Sequence, residues 1–504
     1  MRLRTLVCIL LVIGCAGVNA IAGRRAIRYE DIAASLHAVL NRQGVDRDNF
    51  DAYITSLNRR TIERETIGEN DHLIFFILQS ERFTRRARIE PALSAAGFMR
   101  HLSAGEKARY LKEPSFIPPT ERLPTTVAER FNDFIKATKE PGTDERLKYF
   151  RHFITREKPP ADSSFPYLYR QYARAMRFLY EKEFVSREIA DSQSLAARVA
   201  PLYQDRGHST DTQVEANFAV HTALAVIKFQ TPQARLNNVL IVGPGLDFAP
   251  RTDLIDLFEP QSYQPFAVAD ALLSLKLADP ERLRVHCVDI NERVVSHLGS
   301  AAKSKQLQLS ILTGVADTDA RSLSAEYKDY FRQLGRGVGT ESQLGGLPAR
   351  YKRHLSKSLL VRPEVAAAVS AEKLNIVTER LDPSPQYDLV VVTNVFPYFN
   401  PTELLLALAN IEAMMGKGGY LIHNEARPEL FALAARQGLP VVGSRTMLIA
   451  SGAGVAPLYD GVWTHRKSVG SRKSGVRNHF GFYFLPQTFD VSCQACVGEA
   501  VVRI

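Results

Sequence analysis

The sequence predicts an α/β fold: a mostly parallel sheet with helices on both faces, preceded by a mainly α-helical N-terminal region. Three observations predict it. Continuous apolar runs at 239–242, 283–288, 374–378, 389–393 and 420–423 read as strands buried on both faces. Helical segments at 266–277, 294–302 and 402–415 separate them, and such alternation implies parallel strands joined by helical crossovers. Before this region the periodicity is helical instead, as in Ile32, Leu36, Val39 and Leu40. Right-handed crossovers bring the loops after the strands to one edge of the sheet, where ligands of such sheets bind.

A chain of 504 residues is too long for one compact core. The expected division is a leader over 1–20, a helical region over 24–200, an α/β domain over 201–490 and a short tail over 491–504. Hydrophobic residues make up 45% and charged residues 23%, an ordinary globular balance. The net charge of +10 is spread along the chain with no Lys/Arg block, so no nucleic-acid partner is expected. Cys493 and Cys496 form a lone Cys-x-x-Cys with no second pair, so no metal site is expected there.

Arg2 and Arg4 precede an apolar run and then Gly14, Cys15, Ala16 and Gly17, the order of a secretory signal. Val18-Asn19-Ala20 has the character of a cleavage site. Val12-Ile13-Gly14-Cys15 resembles a lipobox, in which Cys15 would be lipidated and associate the chain with a membrane. Export as a periplasmic, lipidated or secreted protein is the expectation. The alternative is an uncleaved inner-membrane anchor with the domain in the cytosol, since no charge interrupts residues 5–23.

In the helical region, the segment 72–78 reads as an apolar helix or a short buried strand, and 170–184 as an amphipathic helix. Pro114, Pro118, Pro119 and Pro124 punctuate a loop between them. No chemistry above packing is legible in this region.

The chemistry-bearing motifs fall at strand ends. Val242-Gly243-Pro244-Gly245-Leu246-Asp247 lets backbone approach a ligand without a Cβ in the way, and lacks the third glycine of a dinucleotide fingerprint. Asp289, closing Val285-His286-Cys287-Val288, is placed to accept from both hydroxyls of a ribose, or to cap the following helix. Asn394 ends a third strand and leads into Val395-Phe396-Pro397-Tyr398-Phe399, whose aromatics can wall a site or fill a core. Gly416-Lys417-Gly418-Gly419 reads as a helix stop and turn before another strand.

In order and placement this series resembles the Rossmann-like class I S-adenosylmethionine-dependent methyltransferases. It is similar to their CheR-type, chemotaxis-receptor branch in three places: Gln264-Pro265-Phe266-Ala267; Tyr330-Phe331 with Val361-Arg362-Pro363-Glu364 and Leu374-Asn375-Ile376; and Asn394 to Phe399. The resemblance spans roughly residues 236–425. It implies S-adenosyl-L-methionine as cofactor, with Gly243 and Gly245 beside its methionine part, Asp289 on the ribose, Asn375 near the adenine, and Asp247 and Asn394 also binding the cofactor. Asn394 and Tyr398 would flank the transferring methyl as the catalytic pair. The family's Asn-x-Thr-x-Phe-Phe-Arg segment is not found. Gly207-His208-Ser209-Thr210-Asp211 and Glu215-Ala216-Asn217-Phe218 stand in its place, and Arg251 is a candidate for its arginine.

Methyl transfer from a sulfonium is an in-line displacement that needs positioning above all. With no base evident among the motifs, the acceptor expected is a carboxylate, which is nucleophilic without one. The alternatives are a non-catalytic envelope protein that keeps the fold as a binding or scaffold module, and aminopropyl transfer from a decarboxylated cofactor.

Overall fold

A computed structural model of the chain describes residues 23–160, 163–186, 201–209, 211–212, 214–247, 255–382, 384 and 386–469; for Asp211, Thr212 and Asp247 it describes the backbone alone. The leader, Arg251, Cys493 and Cys496 lie outside the described residues.

The N-terminal region is helical: α1 (Ala34–Arg42), α2 (Phe50–Gln79), α3 (Pro91–Arg100), α4 (Ala104–Lys112), α5 (Thr125–Lys139), α6 (Glu145–Glu157) and α7 (Ser164–Tyr180). The apolar segment 72–78 is helical, the second half of the 30-residue α2. It is buried all round, which erases the amphipathic period that separates helix from strand in sequence. Around it Phe76, Phe98, Phe131, Phe134, Phe150 and Tyr172 form one aromatic core. The first half of α2 faces elsewhere. Phe50, Ile54 and Leu57 join Ile27, Leu36 and Leu40 in a core shared with Leu240, Val242 and Val390 of the main sheet. One rigid helix thus spans both halves of the molecule.

The main sheet contains β1 (Asn238–Val242), β2 (Arg284–Asp289), β3 (Val369–Lys373), β4 (Tyr387–Val392), β5 (Met415–His423), β6 (Val441–Gly452) and β7 (Val455–Arg466), in spatial order 3-2-1-4-5-7-6, with Ser322–Leu323 on the outer edge. Strands β1 to β5 are parallel. Strand β7 runs antiparallel between β5 and β6. Alternate residues of β1 serve opposite cores: Val239 and Ile241 face α8 (Val214–Gln230) and α9 (Gln264–Ser274), while Leu240 and Val242 face α13 (Pro401–Met414). Burial on both faces is why β1 and β4 read as continuous apolar runs. Between β2 and β3 lie α10 (Glu292–Ala301), α11 (Ala325–Gln333), α12 (Pro363–Ala367) and a separate antiparallel sheet of Gln308–Ala316, His354–Val361 and Gly339–Ser342.

One expected strand is corrected. Residues 374–378 form a turn, and the strand beside β2 is the preceding Val369–Lys373. Asn375 makes the difference: its Oδ1 accepts from Val377 N at 3.1 Å and its carbonyl accepts from Thr378 N at 2.9 Å, an Asx turn that ends pairing. An edge strand such as Val-Ser-Ala-Glu-Lys carries no continuous apolar run. The apolar residues behind it, Leu374 and Ile376, are buried by the turn instead.

Candidate functional site

The strand order reverses between β1 and β4, leaving a crevice at their carboxyl ends, the usual ligand position in open α/β sheets. A cleft occupies it, with about 810 Å³ of empty space counted out into open solvent. Gly243, Gly245, Asp289, Asn375, Asn394 and Tyr398 all line it, together with Thr61 and Arg64 of α2, His208, Ser209 and Glu403. Asp247 stands in the two-residue strand Leu246–Asp247, which pairs with Asp211–Thr212 at the turn's exit; its side chain is outside the described residues.

Gly243 and Gly245 both have positive φ, +66° and +67°, which an L side chain rarely adopts. At Gly243 the packing also demands glycine: a Cβ would stand 2.6 Å from Val395 Cγ2. Asp289 closes β2 beneath this turn. Its Oδ1 accepts from Asn291 N at 2.8 Å, and it also accepts from the backbone N–H of Gly245 and Ile290. Capping α10 falls to Asn291, which accepts from Arg293 N, so Asp289 is not the helix cap. Burial pushes the Asp289 carboxyl up to about 7 despite these donors, and the neighbouring Glu65 carboxylate adds to the rise.

Asn394 sits at φ +58°, one of two non-glycine residues with positive φ among those described. Asn tolerates this conformation better than most, and here a partner fixes it. Asn394 N donates to Asn424 Oδ1 at 2.9 Å, and Asn424 Nδ2 donates back to Asn394 Oδ1 at 2.8 Å. That network leaves the Asn394 Nδ2 amide as the group to serve a ligand. Thr393 is held from the other face by Gln264 Nε2 at 2.6 Å.

Asn375 is already occupied: its Nδ2 donates to Asn58 Oδ1 at 3.0 Å and Thr61 Oγ1 at 3.2 Å. It ties α2 to the cleft wall. Tyr398 meets the helical half too, with its ring 5.5 Å from His208 and 5.8 Å from Tyr203, and Arg64 above it at 6.0 Å. Arg64 donates to the carbonyls of Arg206, Tyr203 and Tyr398. A capping box between Asn400 and Glu403 starts α13 at the cleft floor, with Glu403 Oε1 3.9 Å from Arg64.

In sequence His208 stands out only within the stretch at the place of the missing family segment, and neither it nor α2 is given a place in the cleft. Helix α2 crosses the cleft because of two glycines: a Cβ at Gly68 would lie 1.8 Å from the His208 carbonyl oxygen, and one at Gly207 would lie 2.4 Å from Gly68 N. The signal was present as Gly68 in mid-helix, where glycine costs about 1 kcal/mol relative to alanine and needs a packing reason. Glu69, the next residue, accepts from Arg293, Asn291 and Tyr149 at 2.6, 2.9 and 2.6 Å, joining α2 and α6 to the start of α10.

The histidines of β2 and β5, and the nearby Glu425, are engaged elsewhere. His423 is fully buried and bonds His465 through Nε2 at 2.8 Å; burial and His465 hold its pKa well below the ordinary value. Glu425 pairs with Arg427 at 3.4 Å. His286 lies within β2, bonded to Tyr387 OH at 2.6 Å and Glu372 Oε1 at 2.7 Å.

No protein-family model matches the sequence, and no curated protein does either. Among solved structures, the N-methyltransferase NodS of Bradyrhizobium japonicum WM9 is similar at 12% identity and a TM-score of 0.24, covering 49% of this chain and 94% of that one. Magnesium protoporphyrin IX methyltransferase of Synechocystis PCC 6803 is similar at 10% identity and 0.24, covering 50% and 81%. A TehB-like SAM-dependent methyltransferase of Corynebacterium glutamicum gives 10% and 0.24, covering 55% and 97%. Likenesses at this level establish no activity for this chain, so its function has to be argued from the cleft.

Proposed function

We propose that the cleft binds S-adenosylmethionine and that the chain transfers its methyl group to an acceptor. One observation carries the reading. The glycine turn, the Asp289 carboxyl and the Asn394 amide, about 150 residues apart in sequence, line one cleft at the point where the strand order reverses. The residues suit the group. The two positive-φ glycines put no Cβ on either side of Pro244, and Asp289 offers a carboxyl for a ribose diol. No third glycine follows the turn to receive a pyrophosphate, and the reversed β7 departs from the six-strand dinucleotide sheet.

When bound, the cofactor would supply an electrophilic methyl. The rest is the protein's task. Gly243 and Gly245 would admit the methionine part and Asp289 would hold the ribose. Asn394 Nδ2 would orient the polar end, and Tyr398 would wall the acceptor side. Thr61 and Arg64 of α2 would roof the site against water, which raises the worth of each polar contact beneath. The part proposed for Asn375 becomes one of shape, since its amide is spent on α2.

Equilibrium dialysis against labelled S-adenosylmethionine tests the reading. Competition by S-adenosylhomocysteine, and none by NAD, is the expected result; displacement by NAD would instead assign a dinucleotide site. The N-terminal leader is proposed to direct export, which a compartment-sensitive reporter fused to the C-terminus would check.

A further inference from the structure

The cleft contains one imidazole that neither strand ends nor glycine turn accounts for. His208 lies beside the Tyr398 ring at 5.5 Å and lines the same cleft as Asn394. It is half-buried, and among the described residues no hydrogen bond engages either ring nitrogen. Its backbone is fixed: His208 N donates to the Arg64 carbonyl at 2.9 Å, and Gly68 and Gly207 bring the two chains into contact that no Cβ would permit. A helix glycine is unfavourable by about 1 kcal/mol, so the fold spends stability on this approach. The fully buried His423 and His465, by contrast, bond one another through Nε2.

We propose that His208 is the proton acceptor for a neutral, hydrogen-bearing nucleophile, a hydroxyl, phenol or amine X–H, seated against Tyr398. The inference rests on the methyl-transfer reading and names its substrate class, replacing the carboxylate expected from sequence. Balanced, the proton of X–H passes to the free imidazole nitrogen. The X–CH3 bond forms as the sulfonium S–CH3 bond breaks, its electron pair stays on sulfur, and the imidazolium returns the proton to solvent. An ionised carboxylate would need no such group. The charged groups facing His208 favour the neutral ring: burial, then Arg64 and Arg60 of α2, hold its pKa well below the ordinary value. The ring is therefore in its neutral, proton-accepting form at pH 7, and the imidazolium, once formed, gives up its proton readily.

The test uses the full chain. Calorimetry with S-adenosylhomocysteine comes first, on wild type and His208→Gln. Equal binding by both is expected, and absence of binding by wild type would remove the methyl-transfer reading itself. Ring NMR of wild type, assigned by the loss in His208→Gln, then follows protonation from pH 5 to 8. A ring neutral throughout pH 6–8 is expected; a ring protonated at pH 7 in a chain that binds the cofactor product overturns the base role alone. Should the variant misfold, acylation of wild type by diethyl pyrocarbonate at pH 6, located by mass spectrometry, gives the same answer, because that reagent takes only accessible neutral imidazoles. Transfer of labelled methyl to components of a cell extract supplies the chemical class. Alkali-stable product, formed at least 100-fold more slowly by His208→Gln, supports the proposal; alkali-labile ester as the main product contradicts it.

Discussion

Asn394 and Asn424 hold each other by two hydrogen bonds, 2.9 Å from backbone N–H to side-chain oxygen and 2.8 Å from amide to amide. The pair fixes a left-handed residue at the tip of the central strand, and so determines which group faces the cleft. Replacing Asn424 with Ala removes both bonds. Denaturant unfolding should show a loss of about 1–2 kcal/mol, the range for two partly buried hydrogen bonds. Asn394→Gly relieves the positive φ and should unfold within about 1 kcal/mol of wild type while binding S-adenosylhomocysteine more weakly.

Asp289 gives a pH dependence of definite sign. Its pKa is raised to about 7 in the folded chain, so the fold holds this proton more tightly than the unfolded chain does. The stability it contributes is complete below the unfolded value near pH 4 and is lost as pH rises through about 7. Asp289→Asn should flatten that window and stabilise the unliganded protein at pH 8 by roughly 2–4 kcal/mol. Thermal melts at pH 5 and pH 8 check it; a variant less stable at pH 8 contradicts the burial argument.

Gly68→Ala tests the crossing of α2 over the cleft. In an open helix this change stabilises by about 1 kcal/mol. Here the new Cβ would lie 1.8 Å from a backbone oxygen, and overpacking of that kind costs about 1–3 kcal/mol. A lowered melting temperature, with faster proteolysis near residue 207, is expected. A raised one would mean that the loop carrying His208 stands off the helix.

Glu69→Gln tests the joint between the halves. Burial alone would raise the Glu69 pKa, but Arg293, His72, Tyr149 and Asn291 together bring it below the ordinary value. Its contribution is present above the unfolded pKa and is lost as pH falls through the folded one. Losing the charge opposite the partly exposed Arg293 should cost about 1–3 kcal/mol near pH 7, read by denaturant unfolding, and much less at pH 3.

What the sequence revealed divides along physical lines. Strands β1, β2, β4 and β5 were legible because burial on both faces writes itself as an unbroken apolar run. Gly243, Asp289 and Asn394 were legible because they follow those runs directly. Strand β3 was displaced by five residues because an edge strand has no such signature and Asn375 bends the apolar stretch behind it. The β6–β7 hairpin, exposed along much of β6, was not resolved as an element for the same reason. Helix α2 and His208 reach the cleft by tertiary packing across more than 140 residues, and no local pattern encodes that. Only the costly mid-helix glycine hinted at it.

The central claim is that the cleft at the β1–β4 reversal grips an S-adenosyl ligand through Asp289. Calorimetric titration of wild type and Asp289→Ala with S-adenosylhomocysteine at pH 8 tests it most directly. One site per chain, with affinity lowered at least 100-fold in a variant that melts no lower than wild type, is the result this account requires. Equal heats from both proteins, or none from wild type, would contradict it.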